Sequence, residues 1–162
     1  MMNHDPGHDH GARTADAELQ ELYQEVILDH NRRPRNFRTL DRARTAEGFN
    51  PLCGDRLRVF LRIEDDLVTD VAFQGSGCAI SKASASLMTE SVKGRSVAEA
   101  RALMDRFQRM LTTESDAPRD GLGKLAALAG VRQFPIRVKC ATLAWHTLKA
   151  VLDAREEVVS TE

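Results

Sequence analysis

The chain has 162 residues, 42% of them hydrophobic, and a formal net charge of −1 from 23 basic and 24 acidic side chains. That length holds one compact domain with its own core and leaves little room for a second. Near-neutral charge argues against a nucleic-acid partner, which would call for a basic excess. With no apolar run of membrane length and no secretory signal, we expect a cytoplasmic protein with no membrane partner.

Residues 1–18 set His4, His8 and His10 among glycine, aspartate and proline. Such a stretch cannot bury enough apolar area to offset chain ordering, so it reads as a disordered tail whose histidines are incidental. From Leu19, the residues Leu22, Tyr23, Val26 and Ile27 recur at spacings of three and four, which predicts a helix that Pro34 stops. Arg32, Arg33, Arg35, Arg38, Arg42 and Arg44 follow with Asp41 as the one acid among them. They make either a solvated loop or a docking surface for an acidic partner. After a weakly signalled strand over 45–50, Leu57, Val59, Leu61 and Ile63 alternate with Arg58 and Arg62 as in a half-buried strand, with Phe60 the exception. Asp65-Asp66 turns the chain into a second strand over 67–73, with Leu67, Val71 and Phe73 on one face.

The Gly75-Ser76-Gly77 turn then delivers Cys78 to the head of a helix reaching Val92. There the positive end of the helix dipole lowers a thiol's pKa. Ala79, Ala83, Ser84, Ala85 and Ser86 are small enough for another backbone to approach this helix closely. Lys93-Gly94 ends it, and Ser96 with Glu99 forms a capping box for a helix buried through Val97, Ala100, Leu103, Met104, Phe107 and Leu111. A polar loop over 112–120, a short helix from Leu122 to Ala129 and a break at Phe134-Pro135 come next. Cys140 is expected to open the last helix, with Leu143, Leu148, Val151 and Leu152 in the core and His146 too far round from Cys140 to share a site. The elements predict an α+β domain over 19–155, a small three-stranded antiparallel sheet covered by about five helices, and a tail over 156–162.

The three cysteines are Cys53 in Asn50-Pro51-Leu52-Cys53-Gly54-Asp55, Cys78 after its glycine turn, and Cys140 in Arg137-Val138-Lys139-Cys140. A lone free cysteine usually packs as a small hydrophobe, and a disulfide would leave one of three unpaired. Settings of glycine, proline and charge argue instead for a shared site. With Asp55 they make four donors, enough for one tetrahedral metal site. Soft thiolates select zinc, copper(I) or iron–sulfur clusters, and the carboxylate is a harder, weaker donor. Because the donors are scattered and not paired in CxxC knuckles, the site forms only with the fold.

Four segments together resemble the SufU branch of the IscU/NifU-type iron–sulfur assembly proteins. They are Leu22 to His30 with Pro34-Arg35-Asn36, Asn50 to Asp55, Gly75 to Ser84, and Cys140 to Trp145, and the resemblance spans Leu19 to Leu152. It implies a SufE/IscU-like fold and a zinc-dependent sulfur acceptor. Such a protein takes persulfide sulfur from a SufS-type cysteine desulfurase and passes it to the SufBCD assembly complex. It implies zinc on Cys53, Asp55, Cys78 and Cys140, with Cys53 accepting sulfur once a histidine of the desulfurase replaces it on the metal, and Arg137 stabilising charge on the sulfur. IscU-type members, which resemble platforms for a transient [2Fe–2S] cluster, carry histidine immediately before the last cysteine. Here that residue is Lys139, and the stretch near 105–130 is longer, both of which favour the SufU type. A scaffold holding its own cluster and a structural zinc docking module are the alternatives.

Overall fold

The computed structural model describes residues 21, 23–112, 121–154 and 159–161. The expected tail over 1–18, Leu19 and Leu22 of the first helix, and the loop over 113–120 lie outside the described residues. Helix α1 runs over residues 23–32, and Val26 and Ile27 press its inner face on the core. Strands β1 (Arg44–Asn50), β2 (Asp55–Glu64) and β3 (Leu67–Ser76) form an antiparallel meander. Helices α2 (Ala79–Val92) and α3 (Val97–Thr112), a 3-10 helix (Gly123–Gln133) and α4 (Pro135–Leu152) follow. The architecture is α+β, as the sequence predicts.

The sheet departs from expectation. It has four strands in the order β3-β2-β1-β4, because Val159–Ser160, within the stretch expected as a tail, pairs parallel to β1 opposite Gly48 and Phe49. Two residues carry no alternation, so no periodicity announces them. A second departure lies in β3, where Arg62 pairs with Asp70 but Ile63 with Val68. Thr69 is the extra residue of a bulge, which resets the alternation. Val68 therefore goes fully inside beside Val71 and Phe73, and Leu67 stays 43% exposed.

One face of the sheet receives Leu57, Val59, Leu61, Val71 and Phe73 from β2 and β3, and the helices close over it. The exceptional Phe60 points the other way, into a small second cluster with Leu40 and Ala72 under the 34–43 connection. The small residues of α2 bring it against α4: Ser84 Oγ donates to the Ala141 carbonyl at 2.6 Å and accepts Trp145 Nε1–H at 3.2 Å. Trp145 also stacks on Phe107 of α3 with centroids 4.6 Å apart. The α3 capping box forms as expected, Glu99 N–H to Ser96 Oγ and Ser96 N–H to Glu99 Oε1, each at 3.1 Å. Helix α4 opens five residues earlier than expected, since Pro135 occupies its first turn, where the missing N–H is no loss. Cys140 thus lies in its second turn. Among the described residues no helix is long and apolar enough to cross a membrane.

Candidate metal centre

β1 ends at Asn50 and β2 begins at its register partner Asp55, so Pro51 to Gly54 is a tight connection with Cys53 near its apex. Gly54 takes φ +71°, a left-handed conformation that a side chain resists. Cys53 N–H donates to the Asn50 carbonyl at 3.3 Å, and the side chain is half-buried. Asp55 is fully buried, and its Oδ1 accepts the Cys78 N–H at 2.8 Å, joining the first hairpin to the β3–α2 turn. The turn can press so close only because residue 77 is glycine: a Cβ there would stand 2.5 Å from Asp55 Oδ1.

Cys140 reaches the same place from α4. Its buried sulfur lies 3.2 Å from the Cys53 sulfur and 3.6 Å from the Ile136 carbonyl oxygen. The Asn50 side-chain amide lies 3.2 Å from Asp55 Oδ2 and 3.5 Å from Cys140 Sγ. The donor atoms of Cys53, Asp55 and Cys140 all stand within 4.8 Å of one another. Cys78 sits beside this trio without joining it: its sulfur caps α2 by accepting the Ser81 N–H at 3.4 Å.

Burial pushes the Cys140 thiol well above the ordinary cysteine range, and neighbouring Cys53, Asp55 and Cys78 add to the effect. A cluster of thiols around a buried carboxylate cannot carry its full anionic charge without a cation. The exposed Arg137 guanidinium, one helical turn before Cys140, supplies part of that: its contact with the Cys140 sulfur and the charge of the other two thiols stabilise its protonated form. The donor set, two sulfurs and a carboxylate oxygen with a third sulfur alongside, fits a borderline or soft metal ion.

The other expected features fall elsewhere. His30 is a buried structural residue whose Nδ1 stands 2.7 Å from Ser86 Oγ. His146 is on α4, lining a cavity with Arg101, Trp145 and Lys149. The arginine-rich connection has more partners than its local sequence offers, since Arg35 pairs with Asp29 at 2.6 Å and Arg38 with Asp70 at 2.9 Å. The sequence places Asn50 at the end of a weakly signalled strand and the head of the Cys53 segment, and gives no sign of its side-chain contacts with Asp55, Cys140 and the Leu52 N–H.

A family model described as the NifU-like N terminal domain matches residues 22–141. The chain belongs to this family. Within it, the chain is 41% identical over 136 residues to the Streptococcus pyogenes serotype M1 protein named iron-sulfur cluster assembly scaffold protein IscU, covering 84% of this chain and 86% of that one. It is also 41% identical over 141 residues to the Bacillus subtilis (strain 168) protein named zinc-dependent sulfurtransferase SufU, covering 87% and 95%. A solved structure from Fervidobacterium islandicum AW-1, described as a candidate iron-sulfur cluster assembly scaffold for the SUF system, superposes with a TM-score of 0.73 at 32% identity over 77% of this chain and 92% of that one. This chain shares the fold of that solved structure, and its own sheet is four-stranded and mixed.

Proposed function

We propose that this chain is a zinc-dependent sulfur acceptor in iron–sulfur cluster assembly. It takes sulfur from the persulfide of a SufS-type cysteine desulfurase onto Cys53 and passes it to the SufBCD complex. The observation that carries the reading is the asymmetry of the donor cluster: Asp55 and Cys140 are buried, Cys78 is half-buried with its sulfur capping α2, and Cys53 is half-buried on a tight connection. In this reading Asp55, Cys78 and Cys140 hold and Cys53 reacts. The Bacillus subtilis relative bears the name of such an activity.

Cys53, Asp55 and Cys140 would hold the zinc, and Cys78 would complete four donors by exchanging its Ser81 bond for the metal. When bound, zinc supplies the positive charge that keeps the thiols ionised near neutral pH. The transfer itself is thiol–persulfide exchange. The Cys53 thiolate attacks the outer sulfur of the donor persulfide, a new sulfur–sulfur bond forms on Cys53, the donor's own bond breaks, and the desulfurase cysteine departs as a thiolate. No oxidant or reductant is consumed. The Arg137 guanidinium stands beside the sulfurs to stabilise charge on the incoming persulfide.

A second reading, a scaffold that carries an iron–sulfur cluster as its cargo, is favoured by two observations: the Streptococcus pyogenes relative, equally identical, bears the scaffold name, and the Fervidobacterium structure is described as a scaffold. Metal analysis of protein purified anaerobically without added metal tests the two. About one zinc per chain without sulfide is expected, since the donors close one tetrahedral site. Iron with matching acid-labile sulfide would select the scaffold.

A further inference from the structure

Asn50 is fully buried and ends β1 directly opposite Asp55. Its Nδ2 stands 3.2 Å from Asp55 Oδ2 and 3.5 Å from Cys140 Sγ, and its Oδ1 accepts the Leu52 N–H at 3.3 Å. Its backbone carbonyl accepts the Cys53 N–H at 3.3 Å. These partners fix the orientation of the amide. Turned over, it would set its oxygen against a carboxylate and a sulfur, and its NH2 against a backbone N–H. A single buried residue therefore contacts the carboxylate and the buried sulfur through its side-chain NH2, and the loop of the half-buried sulfur through its side-chain oxygen and its backbone carbonyl.

We propose that Asn50 is a positioning residue: its amide holds Asp55 and Cys140 in the geometry that grips the metal, leaving Cys53 as the arm that releases. The proposal rests on the zinc reading above. Each hydrogen of Nδ2 has its own acceptor, so the amide fixes which carboxylate lone pair is free for a metal and places donor density on one sulfur but not the other. Partners of this kind tune metal affinity by orienting the ligands they touch. Asn50 tethers the Cys53 loop through the Leu52 and Cys53 N–H groups, and its amide is directed to the Cys140 sulfur and not to that of Cys53.

The test uses the full chain loaded with zinc, and separately with cobalt(II), in the wild type, Asn50→Leu and Asn50→Ala. Asn50→Leu keeps the branched heavy-atom shape and removes the donor. Zinc release to a chromogenic chelator is expected to quicken roughly 10–100-fold in both variants. The sulfur-to-cobalt charge-transfer band is expected to shift, a signature that a general loss of stability does not produce. Wild-type release and an unmoved band in the variants would overturn the proposal. If Asn50→Leu does not fold, Asn50→Ala decides by the same two readings. A wild type that takes up neither metal would overturn the zinc reading itself, and this proposal with it.

Discussion

Two polar clusters lie along α2, one on its α1-facing side and one at its head, and they are built on opposite rules. On the α1 side, Ser86 Oγ contacts His30 Nδ1 at 2.7 Å and accepts the Arg35 N–H at 2.8 Å, while Asn36 Nδ2 donates to Thr89 Oγ1 at 3.0 Å and Thr89 Oγ1 to the Ser86 carbonyl at 2.7 Å. Donors there meet acceptors within the protein, except at His30 Nε2, which makes no hydrogen bond and stands 3.5 Å from Glu90 Oε1. At the head of the same helix, Cys53, Asp55 and Cys140 crowd sulfurs and a carboxylate that outnumber the donors facing them, chiefly the Asn50 amide and the Cys78 N–H. A cluster that closes on itself serves the fold, because leaving any member unpaired is costly. A cluster with surplus soft acceptors is completed by a cation.

The largest effect should come from breaking the open cluster. Cys140→Ser should abolish zinc binding and lower the melting temperature of the zinc-loaded protein by about 8–16 °C, the size expected when a ligand present near a thousand times its Kd is lost from a domain of this length. Calorimetry with and without zinc reads this directly, and equal melting of loaded wild type and variant would erase the contrast between the clusters.

The closed cluster should respond in the other currency. Ser86→Ala strips His30 Nδ1 and the Arg35 N–H of their shared partner and should cost about 1–3 kcal/mol by urea unfolding, with zinc content unchanged. A loss of zinc in that variant would mean the two clusters are one site.

A smaller effect separates them by pH. Burial, then the Arg35 charge, pushes the His30 pKa below its ordinary 6.5 against an opposing pull from Glu90. Burial does the same to His146, helped by Lys149. The unfolded chain then takes up a proton before the folded one, so this contribution to stability is complete above pH 6.5 and is lost as pH falls through the folded pKa. His30→Asn should flatten the acid limb of zinc-free stability, measured as urea midpoints across a pH series. An equally steep limb in the variant would remove His30 from the account.

The closed cluster and the open one were not equally legible in the sequence. Cys53, Asp55 and Cys140 announced themselves because thiols among glycines, proline and charge are poor core filler, and the structure brings their donors together. Cys78 was legible as the head of a helix, where its sulfur accepts the Ser81 N–H beside the other donors. Alternation revealed β2 but misplaced Leu67, because the bulge at Thr69 is a property of pairing between strands and not of either strand alone. The parallel strand Val159–Ser160 is too short for any pattern, and its pairing depends on where Gly48 and Phe49 end up. Pro135 read as a break when it was a start, since the same fixed φ serves both. Asn50 was hidden for a different reason: it read only as the end of a weakly signalled strand, and only the fold shows its amide aimed at a carboxylate and a sulfur.

The central claim is that Cys53 is the reacting arm of this cluster, and mass spectrometry of the zinc-loaded chain after incubation with a SufS-type desulfurase and free cysteine tests it most directly. The account predicts one added sulfur, on Cys53, and none in Cys53→Ala, which should still fold because a half-exposed loop residue carries little packing energy. Added sulfur on Cys78 or Cys140, or full stimulation of desulfurase turnover by Cys53→Ala, would contradict it.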